Sequence, residues 1–109
     1  MRTVALCLRQ ERIAPRYDQP EHILLVTFDA AGKETSRTLH PVVGLSKEAI
    51  CKMILEMHVD LIICGGILPD CQAALTRAGV RYIDNVIGSC DAALEAYAAH
   101  RLLVGDILD

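Results

Sequence analysis

Tryptophan is absent from this sequence, phenylalanine occurs once and tyrosine three times, so aromatic residues make up only 4% of the chain. Single-stranded nucleic acids are held largely by stacking bases on aromatic rings, and that mode of recognition is disfavoured here. A net basic charge is missing as well. The formal charge is −3 and the pI is near 5.7, which argues against a nucleic acid or an anionic membrane surface as partner. No apolar run approaches the roughly 18–20 residues that span a bilayer. The apolar stretch within residues 1–8 is too short for a secretory core and lacks a small-residue cleavage site. A cytoplasmic location is therefore expected. No linker, low-complexity tract or repeat interrupts the chain.

What is present is the composition of a packed core. The chain has 109 residues, 52% hydrophobic and 23% charged, which predicts one domain spanning residues 1–109. The charge is unevenly placed. Arg2, Arg9, Arg12 and Arg16 stand against Glu11 at the start, while Asp84, Asp91, Glu95, Asp106 and Asp109 crowd the end against Arg101. A local basic patch on an acidic protein suits a small anionic ligand better than a duplex. Five cysteines (Cys7, Cys51, Cys64, Cys71 and Cys90) are expected to be thiols in a reducing compartment, and an odd number leaves one outside any closed disulfide framework.

Residues 3–8 form a continuous apolar run, the pattern of a strand buried on both faces. Residues 9–21, rich in Arg and Pro, read as a long surface loop. Residues 22–29 predict a second strand, 30–33 a turn, and 34–39 its antiparallel return. Ser46 is placed to cap a helix from Lys47 to about Met57, with Leu45, Ala49, Met53, Ile54 and Met57 as its apolar stripe. Residues 59–64 predict another buried strand. Gly65 and Gly66 turn it into a helix with Pro69 near its start and Gly79 at its end. Residues 80–83 predict a short strand, and Ser89 caps a last helix from Cys90 to about His100. A hairpin followed by alternating strands and helices implies an α/β domain: a five-stranded mixed sheet flanked by about three helices, of the ribonuclease H-like kind.

A nuclease reading nevertheless fails on residues. Two-metal nucleases need clustered carboxylates, and the first strand has none, while the 59–64 strand has only Asp60. The sharpest local feature is Cys64-Gly65-Gly66 followed by the start of a helix. Adjacent glycines let backbone approach a ligand closely, and the helix start favours an anion. Cys64 ends a strand, while Cys71 and Cys90 fall in the first turns of the helices that follow. In a parallel strand–helix arrangement these three thiols are expected on one rim of the sheet, and helix amino termini lower thiol pKa. His40, at the end of the hairpin's second strand, is a candidate fourth ligand. Equally, Cys71 and Cys90 share helical faces with alanine and leucine, so each also reads as a small buried hydrophobe. Cys7 reads as core, and Cys51, on the side of Lys47, as an exposed or interface thiol. The Cys64–Cys71–Cys90 spacing matches no standard zinc or iron–sulfur pattern.

The run Val59-Asp60-Leu61-Ile62-Ile63-Cys64-Gly65-Gly66-Ile67 and the run Gly88-Ser89-Cys90-Asp91-Ala92-Ala93-Leu94-Glu95-Ala96-Tyr97 carry a resemblance. So do Ala73-Ala74-Leu75, Ala78-Gly79-Val80 and the early Ile13-Ala14-Pro15-Arg16-Tyr17-Asp18. Together they resemble the dinitrogenase iron–molybdenum cofactor biosynthesis family over nearly the whole chain. That family includes nitrogenase cofactor carriers, part of a cofactor-assembly enzyme, and small stand-alone proteins. The resemblance implies a non-enzymatic carrier of an anionic iron–sulfur or molybdenum-containing sulfide cluster, served by a cluster-delivery or cluster-receiving protein. Cys64 and Cys90 stand where the family usually has threonine and an apolar residue, and the family's His/Gly-rich stretch shrinks here to His40-Pro41 and Gly44. On this reading Cys64, Cys71, Cys90 and His40 ligate metal. Gly65 and Gly66 offer amides, and Arg9, Arg12 or Arg16 neutralise charge. The alternatives are a regulatory or interaction module of the same fold and a small thiol enzyme using Cys64. The enzyme reading lacks a His–carboxylate relay.

Overall fold

Residues 4–8 are buried without a break in the computed structural model, which describes residues 1–108. Asp109, the last of the acidic residues at the end of the chain, lies outside the described residues. Such a run needs cover on both faces of a sheet, and the topology supplies it. Strand β1 (Arg2–Arg9) lies at the centre of a sheet that also contains β2 (Arg12–Ile13), β3 (His22–Phe28), β4 (Glu34–Pro41), β5 (Leu61–Ile63) and β6 (Arg81–Ile83). The order is β4-β3-β1-β5-β6, with β2 paired to the end of β1. β3 runs antiparallel to both β1 and β4, whereas β5 runs parallel to β1 and β6 parallel to β5. This is the mixed α/β sheet expected from the order of elements.

Helices α1 (Lys47–Glu56) and α2 (Pro69–Arg77) cover one face, and α3 (Cys90–Ala98) the other. The strands alternate between them with period two. Val4, Leu6 and Leu8 of β1 and Leu61 and Ile63 of β5 pack toward α3. Ala5, Cys7 and Ile62, with Cys64 just beyond β5, pack toward α1 and α2. The helix starts are chemically simple. Ser46 accepts the Ala49 N–H and Ser89 the Ala92 N–H, each at 3.1 Å, and α2 begins instead on Pro69. The stripe of α1 is Ile50 and Ile54, with Met53 and Met57 beside them. Leu45 of the expected stripe is 44% exposed, because it precedes the Ser46 cap and does not yet share the helical period.

Residues 9–21 depart from the expected surface loop. β2 returns on β1 with Leu8 opposite Ile13 and Arg9 opposite Arg12. Ala14 and Tyr17 then enter the core, Tyr17 at 1% exposure. Arginine and proline dominate that segment's composition, but its few apolar residues decide where it goes. A two-stranded parallel pair, β7 (Ile87–Gly88) with β8 (Ile107–Leu108), was also not foreseen. It ties the end of the chain to the segment that enters α3. β4 lies beyond the cover of the helices and is exposed along most of its length. No helix of the described residues is long and apolar enough to cross a membrane.

Candidate functional site

The carboxyl ends of β5 and β6 are where an open α/β sheet ordinarily admits a ligand. Here the backbone knits that rim tightly. Gly66 N–H donates to the Pro15 carbonyl at 2.7 Å, and Tyr17 N–H donates to the Gly66 carbonyl at 2.8 Å. On the other side Asn85 N–H donates to Gly65 O at 2.9 Å and Val86 N–H to Cys64 O at 3.1 Å. A Cβ on Gly65 would lie 2.2 Å from the Ala14 carbonyl oxygen and 2.4 Å from that of Pro15. Gly65 is therefore required by the close approach of the 14–15 segment. The Gly66 amide is also engaged, so the double glycine does not present two open amides as expected.

What it does present is a groove of about 380 Å³, walled by Arg12, Ile13, Pro15, Gly65, Gly66, Asn85, Val86, Ile87 and Gly88. The chain entering α2 and the chain entering α3 form two of its walls. Asn85 sits at φ 57, a left-handed conformation that asparagine tolerates better than most residues. Sequence reasoning missed Asn85. The available signal was its place just past β6, at the carboxyl end of a parallel strand. Arg12 is the charged residue of the wall. Arg16 is turned to Asp18, its Nε and Nη2 donating at 3.1 and 3.0 Å, and exposed Arg9 stands opposite Arg12 on β1.

The four expected metal ligands do not come together. Cys64 and Cys71 belong to the core beneath α1 and α2, whereas Cys90 belongs to the core beneath α3, on the far face of the sheet. His40 is on β4, three strands from β5, or about 14 Å at ~4.8 Å per strand. No group of three or more His, Cys, Asp or Glu side chains placed to hold a metal occurs among the described residues. The thiols also titrate in the direction opposite to that expected at helix starts. Burial, then Cys7 and Asp84, pushes Cys64 upward. Burial raises Cys71 and Cys90 too, with Arg37 pulling partly against it at Cys90. Desolvation outweighs the helix ends because these side chains are largely withdrawn from water.

No family model and no curated protein matches the chain. Several solved structures do match along nearly its whole length. PH0822 is 11% identical, with a TM-score of 0.85 over 94% of this chain and 93% of that chain. A protein of Methanocaldococcus jannaschii, named as a candidate dinitrogenase, is 18% identical, with a TM-score of 0.73 over 92% of this chain and 90% of that chain. The apo form of the orange protein from Desulfovibrio gigas is 14% identical, with a TM-score of 0.74 over 95% of this chain and 92% of that chain. At such identities the likeness is one of fold. This chain has the same single α/β domain as these proteins.

Proposed function

We propose that the chain is a non-catalytic carrier that holds an anionic metal–sulfur cluster, iron–sulfur or molybdenum-containing sulfide, in the rim groove. The observation that carries this reading is the make-up of the groove wall, where Arg12 is the charged residue and no acid, general base or nucleophile accompanies it. Such a wall can bind and position, but it offers no group to attack or to move a proton. A concavity of this size takes a small ligand. Arg12 supplies the charge, with Arg9 beside it in register, and Gly66 and Asn85 allow close approach. Because Cys64, Cys71 and Cys90 lie on two faces, the cluster is held by charge and backbone contacts rather than by protein thiolates. The fold likeness to a candidate dinitrogenase and to an orange protein described in an apo form supports a cargo of this class. A second reading, an interaction module, is favoured by Ile87, Leu103, Val104 and Ile107, which are 53–76% exposed. The same apolar strip would serve a delivering or receiving protein.

The test is anaerobic purification with iron, sulfide and molybdate supplied, followed by metal analysis and visible absorption. The expected result is a coloured, metal-loaded protein whose occupancy falls several-fold in Arg12→Ala and as salt is raised. A colourless protein free of iron and molybdenum would remove the carrier reading and leave the interaction module.

A further inference from the structure

The helix-covered face away from α3 holds chemistry that the rim groove does not use. Lys47, Cys51 and Leu55 recur at four-residue intervals on α1 and so form one stripe. Asp70, Cys71 and Ala74 face that stripe from α2, and together they wall a groove of about 340 Å³. Two thiols from two helices thus line one cavity. Next to them lies the Tyr17 hydroxyl, buried and without a hydrogen-bond partner, in a residue only 1% exposed. Burial, then Cys51, Cys7 and Cys71 in turn, raises this phenol above its ordinary value. The Cys51 thiol is thus its neighbour. A neutral thiol is a weak acceptor, whereas a thiolate is a strong one. The unpartnered Tyr17 O–H is therefore a donor available to a sulfur that carries negative charge.

We propose that Cys51 and Cys71 form a two-coordinate site for a thiophilic monovalent d10 cation, copper(I) being the physiological one, with the Tyr17 hydroxyl donating to a coordinated sulfur. Two S–H bonds release their protons to solvent, two sulfur–copper bonds form, and no electron is transferred. The resulting bis-thiolate carries one negative charge. Lys47, whose Nζ lies 3.0 Å from Asp70 Oδ2 at the groove, and the start of α2 offset it. Soft thiolates select copper(I), and it accepts linear two-sulfur coordination. Among the described residues no third His, Cys, Asp or Glu is grouped with them for a trigonal or tetrahedral ion.

The test is anaerobic competition for copper(I) against bicinchoninate, with wild type, Cys51→Ser, Cys71→Ser, Tyr17→Phe and Cys90→Ser. Wild type should take up one equivalent, and Cys51→Ser and Cys71→Ser should each weaken binding about 100-fold or more. Tyr17→Phe should weaken it up to about 10-fold at unchanged stoichiometry, and Cys90→Ser, across the sheet, by less than about 2-fold. Cys71 is a core residue, so the wild-type chain provides a second measurement. Copper(I) should protect Cys51 and Cys71 from iodoacetamide, as read by mass spectrometry of the digested chain. Equal affinity in wild type and Cys51→Ser, or protection confined to Cys64 or Cys90, overturns the proposal. Arg12→Ala should leave copper(I) binding unchanged, which separates this site from the rim groove.

Discussion

Beneath α3 the sheet is packed with hydrocarbon. Val4, Leu6, Leu24, Val26 and Ile63 meet Ala93, Leu94 and Ala96, and Phe28 lies against Tyr97 with ring centroids 5.3 Å apart. Beneath α1 and α2 the same strands present Cys7 and Cys64, and Cys71 and Tyr17 join them. Cys51 sits at the margin, half-buried. The first face holds one titratable thiol, Cys90. The second concentrates thiols around a phenol that has no acceptor. A hydrocarbon face is indifferent to pH and to soft ligands, whereas a thiol face is stable only while its groups stay protonated or are bound. The two cores bury apolar area alike and differ in what can disturb them.

The largest expected effect erases the distinction, because it strikes where both faces meet. Gly65→Ala places a Cβ against the backbone oxygens of Ala14 and Pro15, which cannot swing aside like a side chain. The change should cost about 3 kcal/mol or more, with both faces unfolding together in urea. Gly66→Ala, whose nearest contact would be Pro15 O at 3.5 Å, should cost less than about 1 kcal/mol. Equal costs would show that the 14–15 segment yields freely.

Alkaline titration separates the faces. Burial lifts Cys7 from 9.0 to about 12, and Cys64 and Tyr17 are raised on the same face. A group raised on folding holds its proton more tightly in the native state. Its stabilisation is complete below the unfolded pKa and is lost as pH climbs toward the folded one. Urea stability should therefore be level up to about pH 9 and then fall, at a limiting ~1.4 kcal/mol per pH unit for each buried thiol. Cys7→Ala should flatten that decline by one thiol's share. An unchanged slope would place the sensitivity elsewhere.

The smallest effect has the opposite sign to most core substitutions. Tyr17→Phe removes a buried hydroxyl that has no partner, and should leave the protein as stable or up to about 1 kcal/mol more so. A clear loss of stability in thermal melts would mean that the thiol face supplies an acceptor, and the contrast between the faces would narrow.

Much of the scaffold was legible because it rests on local rules. The continuous apolar run of residues 3–8 marks a strand covered on both faces, and Ser46, Ser89 and Pro69 mark helix starts by satisfying or lacking the amides found there. The hairpin turn closes on its own chemistry, with Asp29 accepting the Ala31 and Lys33 N–H groups at 2.9 Å. The candidate site was legible only in part. The double glycine and Arg12 stood out, but Gly65 proved to be a packing requirement, and Asn85 carried no local mark.

The sequence by itself determined the succession of elements, their caps and the place where the chain must turn most sharply, because each depends on residues a few positions apart. It could not determine which side of the sheet each helix would cover. That choice divides Cys90 from Cys64 and Cys71 and sets Cys51 opposite Cys71 across a groove. Strand alternation tells which residues share a face, but crossovers decide which helix meets that face. Only the assembled tertiary structure could therefore dissolve one expected cluster of cysteines and create another.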